Sequence, residues 1–220
     1  MRISELKDKH KGETAWIVGL GPSIKDLQKN DFGDGPVITL NQSIVAVQRL
    51  SLKNDIYSMQ KDDDPPAYII PNTGIPLILH ELESLKTFPK SDIAHDREPC
   101  YIFNNPDDFG LLWNTISIIS ATEIGRLMGC YRIKYVCCDA HAKGILGTYI
   151  PHEDGTSYLD NAELRNSYLM GQMQSLKPYL AQFPIEYSFI TPGEEEIQGG
   201  YIAPPARVFF MNGSHLQELR

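Results

Sequence analysis

Thr14-Ala-Trp-Ile-Val-Gly-Leu-Gly-Pro-Ser-Ile-Lys-Asp-Leu27 is a short apolar run that breaks at a glycine-rich turn and then becomes polar with helical spacing. That order reads as a strand, a phosphate-sized turn and a helix start. Gly19 and Gly21 suit positive φ and close backbone approach, Pro22 sets φ without needing its amide, and Ser23 is placed to cap the helix. Free amides at such a start favour an anion, typically phosphate. The third glycine of the dinucleotide fingerprint is missing, since Lys25 and Asp26 follow. The turn therefore suits a mononucleotide better than NAD.

Working outward, Pro36-Val-Ile-Thr-Leu40 predicts a second strand ending at Asn41-Gln42, and Ser43 to Leu50 has helical spacing. Asp55-Ile-Tyr-Ser-Met59 predicts a third strand ending at Gln60-Lys61-Asp62. Strands alternating with helices imply a parallel sheet with right-handed crossovers, so the expected fold is α/β: one Rossmann-like domain over residues 1–220. Upstream, residues 2–11 read as a short helix. Between Asp63 and Asp108 the pattern predicts a short apolar run at 67–70, a helix from Pro76 to Leu85 and a strand at Tyr101 to Phe103.

Periodicity returns where Ile116, Ile119, Ala121, Ile124, Leu127 and Met128 recur at helical intervals before a C-cap at Gly129. Ile133-Lys-Tyr-Val-Cys-Cys138 then predicts a buried strand ending at Asp139. The segment 140–161 is rich in Gly, His, Tyr and Thr and follows a strand end, which suits a lid. A helix from Ala162 to Gln182, a strand from Ile185 to Ile190 and a last strand at Arg207 to Met211 complete the pattern, before a polar end.

Composition narrows the partners. A net charge of −8 over 220 residues opposes a nucleic-acid backbone. Cys100, Cys130, Cys137 and Cys138 show no C-x-x-C spacing, which argues against a zinc site or a disulfide framework. No apolar run reaches the roughly 18 to 20 residues of a membrane span, and residues 1–12 lack a hydrophobic signal core. The expectation is a cytoplasmic protein without a membrane span, and a homo-oligomer is left open.

Ligands of open α/β sheets bind beyond the carboxyl ends of the strands. Four polar groups are predicted there: Gly19 to Ser23, Asn41-Gln42, Gln60-Lys61-Asp62, and Asp139 to His141. The side-chain amides of Asn41 and Gln42 can read a base or ribose, and Lys61 can offset phosphate charge.

Gly19-Leu-Gly-Pro-Ser-Ile-Lys-Asp26, Leu40-Asn-Gln42 and the unit from Met128 to Asp139 resemble blocks of the Campylobacter-type bacterial sialyltransferases. With the lead-in from His10, they also resemble the motility-associated-factor proteins and their archaeal relatives, the hydroxymethyl-dihydropterin diphosphokinases. The resemblance covers roughly residues 10 to 190, and its sharpest part is the Gly-Pro-Ser segment.

The sialyltransferase resemblance implies transfer from a nucleotide sugar, CMP-linked, to the hydroxyl of a glycan acceptor in surface glycan synthesis. Gly19, Gly21, Pro22, Ser23, Asn41 and Gln42 would hold the nucleotide, with Thr115 and Ser117 as helix-start contacts and residues 140–161 as the lid. The family's catalytic histidine has no counterpart here, because Ser167 falls at that place. His152 and His141 are then the candidate bases, imidazole being able to accept a proton near neutral pH. No cofactor is required on this reading, and no metal site is expected.

The diphosphokinase resemblance instead implies ATP and Mg²⁺, with Asp62 and Asp139 on the metal. A nucleotide-binding module without catalysis is the third reading, which the missing histidine favours.

Overall fold

β1 (Thr14–Val18) is buried on both faces, and the rest of the sheet is laid out to either side of it. The computed structural model describes residues 1–60, 74–80, 100–103, 117–143, 176, 178–181, 184–199, 208–212 and 215–219. To one side of β1 lie β2 (Val37–Leu40), β3 (Ile56–Gln60), β4 (Leu77–His80) and β5 (Cys100–Phe103). To the other lie β6 (Arg132–Val136), β7 (Glu186–Ile190) and the two-residue β8 (Ile197–Gln198). Every pairing is parallel except that of β8 with β7. The chain thus winds outward from β1 to β5 and returns to place β6 against β1, so the strand order reverses at the β1–β6 seam. This is the mostly parallel, Rossmann-like α/β arrangement that the strand and helix alternation predicts.

Alternation along the strands explains why both faces can be covered. Ala15, Ile17, Ile38, Tyr57, Ile133 and Tyr135 share one face with Ile118, Ala121 and Ile124 of α2 (Ser117–Leu127). Trp16, Val18, Val37 and Val136 share the other with Val47 of α1 (Ser43–Gln48) and with Ile24 and Leu27 in and after the 3-10 helix η2 (Pro22–Asp26). Each fully buried aliphatic side chain contributes about 1.5 to 3 kcal/mol. Ile17, which no solvent reaches, is a position where truncation to Ala opens a cavity at the sheet's centre.

The N-terminal segment is fastened to the same core. Its 3-10 helix η1 (Ile3–Leu6) buries Ile3 and Leu6, and His10 lies between Glu13, 3.1 Å from Nδ1, and the Tyr57 hydroxyl, 3.0 Å from Nε2. Lys9 donates to the same hydroxyl at 2.8 Å. α2 runs back from the carboxyl edge of the sheet to the start of β6 and ends at Gly129, which takes φ +85° as a C-cap requires.

Several expectations are corrected. Residues 77–80 are strand β4, not part of a helix from Pro76 to Leu85. A buried three-residue apolar run, Leu77 to Leu79, carries no period that separates the two, and here pairing with β3 and β5 on both sides decides the matter. The helix expected over residues 2–11 reduces to the single turn η1, and the one after Pro22 is the five-residue η2. The strand ending expected at Cys138 comes at Val136. The segment read as a lid begins instead with a short helix, α3 (Asp139–Lys143).

The expected polar end carries β10 (His215–Leu219), which pairs antiparallel with β9 (Val208–Asn212) as a two-stranded sheet. Leu176 and residues 178–180 are helical, inside the predicted 162–182 span. The 67–70 run and residues 144–161 of the lid lie outside the described residues. None of the described helices is long and apolar enough to cross a membrane.

Candidate functional site at the strand ends

The glycine-rich turn follows the carboxyl end of β1, at the seam where strand order reverses, and the protein itself fills much of it. Gly19 N–H donates to the Val136 carbonyl and Gly21 N–H to the Cys137 carbonyl, both at 2.9 Å. Neither glycine takes a positive φ, and Gly21 stands at −61°. Both positions exclude a side chain for a different reason. A Cβ at Gly19 would come within 2.8 Å of the Cys137 carbonyl oxygen and of Cys138 Sγ, and one at Gly21 within 2.4 Å of Asp139 Oδ2. The close approach that the sequence implied is therefore made to the end of β6.

Ser23 does not cap a helix through its side chain. It lies inside η2, whose N-cap is Gly21, and its backbone amide donates to Asp139 Oδ2 at 2.8 Å while its hydroxyl donates to Oδ1 at 2.7 Å. The Asp139 carboxylate, 3% exposed, thus holds the place that an anion would take on these groups. Ile24 N–H is used by the Gly21 carbonyl, and Pro22 has none. Among the described residues, that leaves the Leu20 amide as the one in the turn without a hydrogen bond.

On the β2 side the backbone is strained. Asn41 takes φ +50°, a left-handed conformation that Asn tolerates better than most residues. Its amide donates to the Met59 carbonyl at 2.9 Å and its carbonyl accepts the Gln60 side-chain amide at 3.0 Å, so the neighbouring strand end over-determines the strained conformation. Gln42 is half-buried and does not cap the helix it precedes. Ser43 ties α1 back to β1, its hydroxyl donating to the Val18 carbonyl at 2.8 Å.

Cys137, at the end of β6, is left-handed as well, with φ +54°. Two strained non-glycine residues therefore flank the end of β1, and such strain of roughly 1 to 3 kcal/mol each gathers at functional sites. No sequence signal marks Cys137 for that conformation.

His141 follows on α3. Its Nδ1 is shut away from solvent with no hydrogen-bond partner, and burial pushes the imidazole down to about 4, so the ring is neutral at physiological pH. Ser117 is half-buried at the first turn of α2. The structure thus brings Gly19 to Ser23 together with Asp139, sets Asn41 and Gln42 on the adjoining strand end, and carries His141 on the short helix that Asp139 begins. Lys61, Asp62, Thr115 and His152 lie outside the described residues.

Among the described residues no group of three or more His, Cys, Asp or Glu side chains is arranged to hold a metal ion. All four cysteines are free and buried.

A cleft of about 270 Å³ opens at the opposite edge of the sheet, lined by His10, Glu13, Asp34, Gly35, Lys53, Asn54 and Asp55. Much of its polar lining is already engaged: His10 with Glu13 and Tyr57, and the Asn54 amide with the carbonyls of Gly33 and Gly35. The strand-end cluster is the better candidate, because Gln42 is half-buried without capping its helix and the Leu20 amide makes no hydrogen bond among the described residues.

Compared with known proteins, the chain matches no family model, no curated protein and no solved structure.

Proposed function

We propose that the protein is a nucleotide-sugar-dependent glycosyltransferase, sialyltransferase-like, acting on a sugar hydroxyl. The observation that carries this reading is the meeting of the Gly19–Ser23 turn with left-handed Asn41 beside the seam where strand order reverses, the place where open α/β sheets bind nucleotides. The nucleoside lies along Asn41 and Gln42. Because Asp139 already holds Ser23, the phosphate is drawn to the Leu20 amide and not across the whole turn. His141, neutral at pH 7, is the described candidate to receive a hydroxyl proton, and His152 remains the other.

A Mg²⁺-dependent diphosphokinase fits this geometry less well, since both oxygens of Asp139 are engaged by Ser23. The test is thermal unfolding of the protein with CMP, UDP, ADP, ATP and CMP-linked and UDP-linked sugars, each with and without Mg²⁺, followed by turnover of every donor that binds. Metal-independent stabilisation by a sugar-linked nucleotide, with transfer to a glycan, is the expected outcome. Stabilisation by ATP with Mg²⁺ alone, or binding without turnover, overturns it in favour of the kinase or of a module without catalysis.

A further inference from the structure

Gln60 ends β3 with a side chain that is half used. Its Nε2 donates to the Asn41 carbonyl at 3.0 Å and to Ser58 Oγ at 2.8 Å, which takes both amide hydrogens. A carbonyl can only accept, so Asn41 fixes which way round the amide sits. The oxygen, Oε1, is left over. Among the described residues nothing donates to it, and it is not among the polar atoms sealed from solvent without a partner. The half-buried side chain therefore presents a fixed and open acceptor at the carboxyl end of its strand.

Register brings that acceptor beside the candidate site. Leu40 pairs with Met59, so Asn41 and Gln60 stand level at the ends of β2 and β3, and β2 lies between β3 and β1. Neighbouring strands are about 4.8 Å apart, which separates the ends of β1 and β3 by roughly 10 Å. A nucleotide reaches about as far, from its phosphorus to the outer edge of its base. With the phosphate at the Leu20 amide after β1 and the sugar beside Asn41 and Gln42 after β2, the base comes to the end of β3.

We infer that Gln60 Oε1 selects the base, and that it selects one with an exocyclic amino group, cytosine or adenine, over a keto base such as uracil. This rests on the nucleotide-binding step of the glycosyltransferase reading. The amino groups of cytosine and adenine donate, whereas the corresponding oxygen of a keto pyrimidine accepts, and two acceptors set against each other leave both unpaired. The clasp on Asn41 is what makes the choice firm. An amide free to turn would offer its nitrogen to a keto base, but this one cannot turn without giving up its bonds to Asn41 and Ser58.

The experiment is calorimetric titration of the full chain with matched nucleotides. CMP is set against UMP and against the ribonucleotide of pyrimidin-2-one, which lacks only the amino group, and AMP is set against the ribonucleotide of purine, which lacks only its own. In the parent, at least one amino nucleotide should bind roughly tenfold tighter than its deamino partner, and UMP should bind more weakly than CMP. Gln60→Met removes the acceptor and should abolish both preferences. Gln60→Lys keeps a donor for the Asn41 carbonyl without an acceptor, so it should abolish them as well, and it serves if the methionine variant folds poorly. A merely structural clasp would weaken both members of a pair alike and leave their ratio unchanged. No amino preference in the parent, or one that survives in a folded variant, overturns the inference. The two readings fail separately: an amino preference without sugar transfer from any donor keeps the base reader and fells the transferase, transfer without an amino preference does the reverse, and a parent that binds none of these nucleotides overturns both.

Discussion

Asp139 reaches across 116 residues of sequence to accept both polar hydrogens of Ser23, one from the backbone amide at 2.8 Å and one from the hydroxyl at 2.7 Å. This contact joins the end of β6 to the turn after β1 and makes the crevice between them a braced structure before any ligand arrives. A hydrogen bond to a charged group is worth about 1.5 to 3 kcal/mol. Ser23→Ala should lower unfolding free energy by about that amount in a urea titration, and Asp139→Ala by at least as much. Gly21→Val should fail to fold or lose more, because its Cβ would lie 2.4 Å from Asp139 Oδ2. A Gly21→Val protein with wild-type stability would refute this account of the turn.

Asn41 and Gln42 should separate stability from recognition. Gln42 caps nothing, so Gln42→Ala is expected to leave the melting temperature nearly unchanged while weakening the preference among bases by roughly 1 to 3 kcal/mol. Asn41→Ala is expected to cost stability too, since alanine tolerates φ +50° less well than asparagine. Calorimetric titration with CMP, UMP and AMP measures the first effect. Equal base preference in the double variant counts against the assignment.

His141 should make the fold sensitive to mild acid. Burial lowers its pKa to about 4, against about 6.5 in an unfolded chain. Between those values the unfolded state binds a proton that the folded state refuses, so the contribution to stability is whole above about pH 6.5 and is lost as pH falls toward about 4. The loss attributable to this residue over that window is on the order of 3 kcal/mol. Urea unfolding at pH 7, 6 and 5 should show a shallower decline in His141→Gln than in the parent. Parallel profiles would mean that the imidazole is better solvated than its surroundings imply.

The thiols should be silent in the native state. Burial pushes Cys130 and Cys137 up to about 12 and Cys138 well above its ordinary value, and only the thiolate reacts with alkylating agents at useful rates. Iodoacetamide at pH 8 is expected to leave these three unmodified until denaturant is added, as intact mass spectrometry would show. Rapid labelling of Cys137 without denaturant would place the end of β6 in an open form.

Much of the sheet was legible because its strands are apolar, β-branched and punctuated by turns. β1, β2, β3, β5, β6 and β7, and β9 of the two-stranded sheet, fall within a residue or two of where the sequence puts them. β4 was not legible. Leu77-Ile-Leu-His80 is too short for a period, and only its neighbours on both sides make it a strand.

The site divides in the same way. The turn and the Asn41-Gln42 strand end announce themselves by residue type, whereas the Ser23–Asp139 bond and left-handed Cys137 depend on contacts between distant segments. The glycines were read correctly as places of close approach, but a local pattern could not say that the approaching group belongs to the chain itself.

The winding of the sheet also bears on how the chain is made. Thr14 pairs with Arg132 and Val18 with Val136, so one whole flank of the central strand waits for residues synthesised more than a hundred positions later. Until then a nascent chain holding β1 to β5 would present the open backbone of β1, with Ala15, Trp16, Ile17 and Val18 beside it, to whatever strand is nearest. Such an exposed edge invites pairing with the wrong chain. The stretch that decides the fold is thus, during translation, the one most in need of protection.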